Sequence, residues 1–152
     1  MNFVRRVKRK FFRPRQVIEG YEDPELVETI FLKTINHTPQ GGWPLVSAIK
    51  TVLDFGGGAG LHYKIARQQS PDIRWAVVET PAMVQRAKEL ATDKLMFFED
   101  IESAAAWLGS VDLMHSNGAI QYVPDALATI RTLCSVRPTT GILLERRSVL
   151  LS

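Results

Sequence analysis

The side chains best suited to chemistry stand at the ends of apolar runs. Residues 51–61 read TVLDFGGGAGL. Val52, Leu53 and Phe55 suit a buried strand, Asp54 places a carboxylate near its end, and Gly56, Gly57, Gly58 and Gly60 open a turn that brings backbone against a ligand. A second run, IRWAVVE at 73–79, ends in Glu79, 23 residues past Gly56. That is close to the roughly 20-residue offset at which an acid meets a ribose diol in nucleotide-binding folds. One carboxylate accepts from two adjacent hydroxyls at once; it also suits the start of the helix opened by Thr80 and Pro81. A third run closes in FFEDI at 97–101. There Asp100 can accept from an adenine amino group or cap the next helix, with Ile101 as an apolar neighbour. A fourth ends in His115, Ser116, Asn117 and Gly118, polar groups facing a cofactor or substrate. His115 is the one candidate general base, since histidine titrates near neutrality; a histidine closing a buried strand is the competing reading.

Spacing narrows the ligand. A dinucleotide fingerprint G-x-G-x-x-G begun at Gly56 and Gly58 needs glycine at position 61, which is Leu61. Begun at Gly58 and Gly60 it needs glycine at 63, which is Tyr63. No Gly-Lys-Ser/Thr triplet follows either, so a phosphate-cradling P-loop is absent. What remains is Asp54-x-Gly56-x-Gly58-x-Gly60.

These residues need elements that hold them together. Asp23, Pro24 and Glu25 form a helix start, and Leu26, Val27, Ile30, Phe31 and Ile35 fall at helical spacing after it. A loop at 37–44 and a short helix at 45–49 follow. The pattern then predicts strands at 51–55, 73–79, 94–98, 111–116 and 140–146, and helices at 61–69, 81–91, 101–108 and 124–134. Strands alternating with helices imply an α/β fold, a parallel sheet with helices on both faces. Ligands in such sheets sit beyond the carboxyl ends of the strands, at the switch point.

The 152 residues, 45% of them apolar, fit one compact unit. Its expected parts are a basic arm at 1–19, a helical segment at 20–50 and a ligand-binding domain at 51–152. No run of 18 apolar residues and no signal-peptide core is present. Cys134 is the sole cysteine, and His37, His62 and His115 are far apart, so neither an internal disulfide nor a metal site is expected. A cytoplasmic location follows as the expectation. Residues 1–15 hold seven basic side chains and no acid, so the net charge of +3 leaves −4 on the remainder. With Phe3, Val4, Val7 and Phe11 on one side, the arm suits weak membrane-surface contact or plain solvation. Nothing else points to nucleic acid, for want of a second basic patch and interleaved aromatics.

Taken together, GYEDPEL (20–26), VLDFGG (52–57), RWAVVETP (74–81), FFEDIE (97–102) and IQYVPD (120–125) resemble a sparsely characterised bacterial family of class I S-adenosylmethionine (SAM) methyltransferases, often linked with surface-polysaccharide genes. The resemblance covers residues 18–148 and implies a Rossmann-like methyltransferase sheet with SAM as cofactor. By position it implies Asp54, Gly56, Gly58 and Gly60 around the methionine moiety and Glu79 on the ribose. It also implies Asp100 and Ile101 beside adenine, and Ser116 to Gly118 lining the pocket. Methyl transfer to a small-molecule or sugar hydroxyl is the implied activity. Such enzymes usually carry two further strands after the fifth, so a sheet lacking that C-terminal pair is expected, with an exposed edge open to self-association. Two rivals remain: an NAD(P)-dependent oxidoreductase or epimerase, disfavoured by Leu61 and Tyr63, and a non-catalytic SAM-binding fragment that acts through its basic arm.

Overall fold

A computed structural model describes residues 19–43 and 48–144. Five strands form one parallel sheet: β1 (Thr51–Phe55), β2 (Arg74–Val78), β3 (Leu95–Phe98), β4 (Leu113–Asn117) and β5 (Thr140–Leu144), in the order β3-β2-β1-β4-β5. The order reverses at β1. The chain moves outward to β2 and β3, then crosses back to β4 on the other side, so the carboxyl ends of β1 and β4 diverge there.

Both faces of the sheet are covered, which is why its strands read as continuous apolar runs rather than as an alternation. On one face Val52, Trp75, Val77 and Leu113 pack against α1 (Pro24–Asn36), α2 (Leu61–Ala66) and α3 (Pro81–Ala87). On the other, Leu53, Ala76, Val78 and Met114 meet α4 (Ile101–Leu108) and α5 (Ala126–Ser135). Each fully buried large side chain contributes roughly 1.5–3 kcal/mol. Trp75, Phe31, Leu53, Ile73 and Leu133 are at most 1% exposed and anchor the two layers.

Local chemistry fixes the helix ends as the sequence implies. Asp23 Oδ1 accepts from the N–H groups of Glu25 and Leu26, both at 3.0 Å, ahead of Pro24. Asp100 and Asp125 cap α4 and α5 by accepting from Ser103 N and Ala128 N. At the far end of α1, Lys64 Nζ donates to the carbonyls of Thr34 and Ile35, a cation on the negative pole of a helix. Arg74 does the same for α4, reaching the carbonyls of Trp107 and Leu108 while its guanidinium stacks 4.3 Å from the Trp107 ring centroid.

Several boundaries differ from the sequence expectation. The helix expected over 61–69 ends at Ala66, where i to i+3 bonds tighten the chain before Pro71. The one expected over 81–91 turns 3₁₀ at Lys88–Leu90. Strand β4 begins at Leu113 and runs through Asn117, so Asn117 ends a strand instead of opening a loop. A 3₁₀ turn at Ile120–Tyr122, which carries no periodic signal, separates it from α5. Residues 1–18, most of the short helix expected at 45–49, and residues 145 onward lie outside the described residues.

Candidate functional site

A cavity of about 740 Å³ opens at the carboxyl ends of the strands. Its floor comes from Phe55, Val78 and Asn117, the last residues of β1, β2 and β4, and from Gly56, Glu79 and Gly118 directly after them. Glu99 enters from the end of β3. The opposite wall is Tyr21 and Glu22 from a 3₁₀ turn ahead of α1, facing Tyr122, Val123 and Pro124. This is where the topology places a ligand in an open parallel sheet.

The glycine loop lets backbone come close. Gly56 adopts φ 74°, and a Cβ placed there would stand 2.1 Å from the Ala119 Cβ. Only glycine fits between the β1 end and the β4 loop. Two residues on, Gly58 at φ 59° turns its N–H to Glu79 Oε1 at 3.0 Å. Glu79 Oε2 accepts from Thr80 N at 2.9 Å, so one carboxylate ties the glycine loop to the β2–α3 junction. Burial pushes the Glu79 carboxyl above its ordinary value, with the Asp54 and Glu22 charges acting the same way and the two N–H bonds opposing them.

The N-terminal turn is fastened to this junction. Thr80 Oγ1 donates to the Tyr21 carbonyl at 3.3 Å, and Glu22 Oε2 accepts from Ala82 N at 3.1 Å. The Tyr21 ring then packs on Tyr122, with centroids 5.2 Å apart and planes tilted by 49°. The 3₁₀ turn ahead of α1 and the loop after β4 thus meet at the cavity. Among the described residues the lining carries three carboxylates, Glu22, Glu79 and Glu99, and no lysine, arginine or histidine.

Beneath the glycine loop lies a separate polar cluster. Asp54 is 1% exposed; Oδ2 accepts from Trp75 Nε1 at 3.0 Å, and Oδ1 shares a 2.8 Å hydrogen bond with His115 Nδ1. The His62 ring stands edge-on to His115, centroids 4.8 Å apart. Trp43 Nε1 donates to His62 Nδ1 at 3.1 Å, so that nitrogen bears a lone pair. Burial lowers the His62 pKa, aided by His115 and opposed by Asp54.

The sequence-nominated residues divide accordingly. Gly56, Glu79, Thr80, Asn117 and Gly118 line the cavity. Gly58 serves it from behind through Glu79, while Gly57 sits over the Asp54 carboxylate and Gly60 opens α2. Asp54 and His115 do not line it, because each satisfies the other inside the sheet's core. Asp100 is drawn to its cap and Ile101 into the α4 layer. Ser116 is fully buried, its Oγ without a hydrogen-bond partner among the described residues.

Tyr21, Glu22, Glu99 and Tyr122 escaped the sequence reading. One signal was present for Glu99: aspartate caps a helix better than glutamate, so in the pair Glu99-Asp100 the cap falls to Asp100 and the glutamate is left for the cavity. Among the described residues no helix is long and apolar enough to cross a membrane, and no three potential ligands gather to hold a metal ion.

No protein-family model and no curated protein matches the sequence. Solved structures do resemble it. The mitomycin 7-O-methyltransferase MmcR aligns over 82% of this chain and 38% of its own, with 16% identity and a TM-score of 0.50. The plantazolicin methyltransferase BpumL, solved with S-adenosylhomocysteine (SAH), aligns over 78% of this chain and 44% of its own, at 15% identity and a TM-score of 0.47. PigF, also solved with SAH, aligns over 76% and 40%, at 18% identity and a TM-score of 0.47. This chain therefore spans about two fifths of the length of these structures. What it shares with the mitomycin enzyme is the fold, a Rossmann-like parallel sheet with helices on both faces.

Proposed function

We propose that this chain binds SAM at the carboxyl ends of β1, β2 and β4 and serves methyl transfer to a small-molecule hydroxyl, a sugar hydroxyl included. The observation that carries the reading is Glu79, a half-buried carboxylate at the cavity wall whose two oxygens are each fixed by one backbone N–H. A carboxylate offers about four lone-pair sites. Two are used by Gly58 and Thr80, which leaves acceptor capacity on a rigid group for a pair of adjacent hydroxyls.

The residues present fit this cofactor. A cavity of about 740 Å³ lies within the roughly 300–1,000 Å³ range of small-molecule sites. Its glycine floor approaches closely because a Cβ at Gly56 would be blocked by Ala119. Three carboxylates and no basic side chain among the described lining residues suit a ligand bearing positive charge and no phosphate. The pyrophosphate of a nicotinamide dinucleotide would meet repulsion here instead of the N–H cradle it needs. When bound, SAM supplies an electrophilic methyl on a sulfonium centre. The chain's part is to hold and orient: Glu79 for hydroxyls, Glu99 for an amino group at the β3 end, and Phe55, Val78 and Val123 to exclude water. The likeness in fold to the mitomycin 7-O-methyltransferase MmcR supports the same assignment.

Parallel isothermal titrations with SAH and with NADH test the reading. Saturable heat from SAH and none from NADH is expected. Binding of NADH alone would replace the methyltransferase reading with the oxidoreductase one.

A further inference from the structure

We propose that Tyr21 and Tyr122 form a charge-selective wall, so that the cavity holds the sulfonium of SAM in preference to the neutral thioether of SAH; this rests on the cofactor reading above. The two rings come from parts of the chain a hundred residues apart, yet they pack at 5.2 Å over the cavity and both line it. Tyr122 is 40% exposed, so ring surface remains for a ligand. Tyr21 is held in place by the bond from Thr80 Oγ1 to its carbonyl, on the same junction that carries Glu79. The aromatic wall and the carboxylate are thus set by one element.

An aromatic face carries a negative quadrupole and attracts a cation lying over it. The effect grows as water is excluded and as no competing cation is present. The second condition holds among the described lining residues, which add the charges of Glu22, Glu79 and Glu99 and include no lysine, arginine or histidine. Burial, Tyr122 and the nearby Glu79 charge all raise the Tyr21 pKa, so its phenol stays neutral. A neutral phenol keeps the ring a π surface and the hydroxyl a donor. If the pair served packing alone, its removal would weaken charged and neutral ligands alike.

The experiment is isothermal titration of SAM and of SAH into the full chain and into Tyr122→Leu, Tyr122→Phe and Tyr21→Phe, with circular dichroism to verify folding. The unaltered chain is expected to favour SAM. The ratio of SAM to SAH affinity should fall roughly 3- to 30-fold in Tyr122→Leu, the range of a cation–π contact, and should hold within about 2-fold in the two phenylalanine variants, which keep the ring. A ratio unchanged by Tyr122→Leu while SAH still binds would overturn this proposal and leave the cofactor reading intact. Failure of the unaltered chain to bind either ligand would overturn both.

Discussion

Replacing Gly56 with alanine attacks the site through backbone alone and permits the cost to be worked out in advance. Gly56 sits at φ 74°, and its added Cβ would lie 2.1 Å from the Ala119 Cβ. The left-handed conformation costs a non-glycine residue roughly 1–2 kcal/mol. Forcing a methyl into occupied space adds roughly 1–3 kcal/mol, so Gly56→Ala should lose about 2–5 kcal/mol. The two contributions separate. Ala119→Gly removes the obstructing methyl without touching φ at Gly56, and by itself should cost about 0.5–1 kcal/mol. In that background Gly56→Ala should therefore cost only the conformational part. Urea unfolding of the four proteins closes a double-mutant cycle, with an expected coupling of at least about 1 kcal/mol. An equal cost of Gly56→Ala in both backgrounds, or a cost below about 0.5 kcal/mol, would refute the close approach of the two loops.

Other perturbations have distinct signatures. Ser116 buries a hydroxyl with no partner among the described residues, so Ser116→Ala should raise stability by about 1 kcal/mol in urea unfolding, part of the cost of an unmade hydrogen bond. A loss of stability would reveal a partner for that hydroxyl. Asp54→Ala should cost about 2–5 kcal/mol, because it strips an acceptor from Trp75 Nε1 and His115 Nδ1 in a site where all three side chains are at most 2% exposed. A loss below 1 kcal/mol on this roughly estimated scale would contradict the bonding described. Burial lowers the His62 pKa, so the unfolded chain takes up that proton first. Stability from neutral His62 should be full above pH 6.5, its ordinary value, and decline as pH falls below it. His62→Gln, which keeps an acceptor for Trp43, should flatten this decline; an unaltered slope would assign it to other groups.

The sheet was legible because both of its faces are covered, which leaves strands as unbroken apolar runs between glycine and proline signals. Strand β1 emerges with the expected bounds for that reason. Helix ends were harder to read. Tightening after Ala66 and at Lys88–Leu90 depends on local hydrogen bonds that composition does not express. Within the site, the strand-end residues Gly56, Glu79 and Gly118 were readable from the rule that ligands sit where parallel strands end. Asp54 shows the limit of motif reading. Alternation puts it on the same face as Val52, toward Trp75 and His115, and its carboxylate is spent there. Tyr21 meeting Tyr122 was beyond reach, since no local period links two residues brought together only by the finished fold.

Isothermal titration of SAH into the unaltered chain and into Glu79→Gln bears most directly on the assignment of the cavity. Glu79 is to accept from the ligand as a charged group, so the substitution should weaken binding by about 1–3 kcal/mol. Because burial raises the Glu79 pKa, affinity in the unaltered chain should begin to fall at a higher pH on acidification than an ordinary carboxylate would allow. The glutamine variant should lose that dependence. Equal affinity in the two proteins at every pH, or no heat from a chain that circular dichroism shows to be folded, would contradict the account.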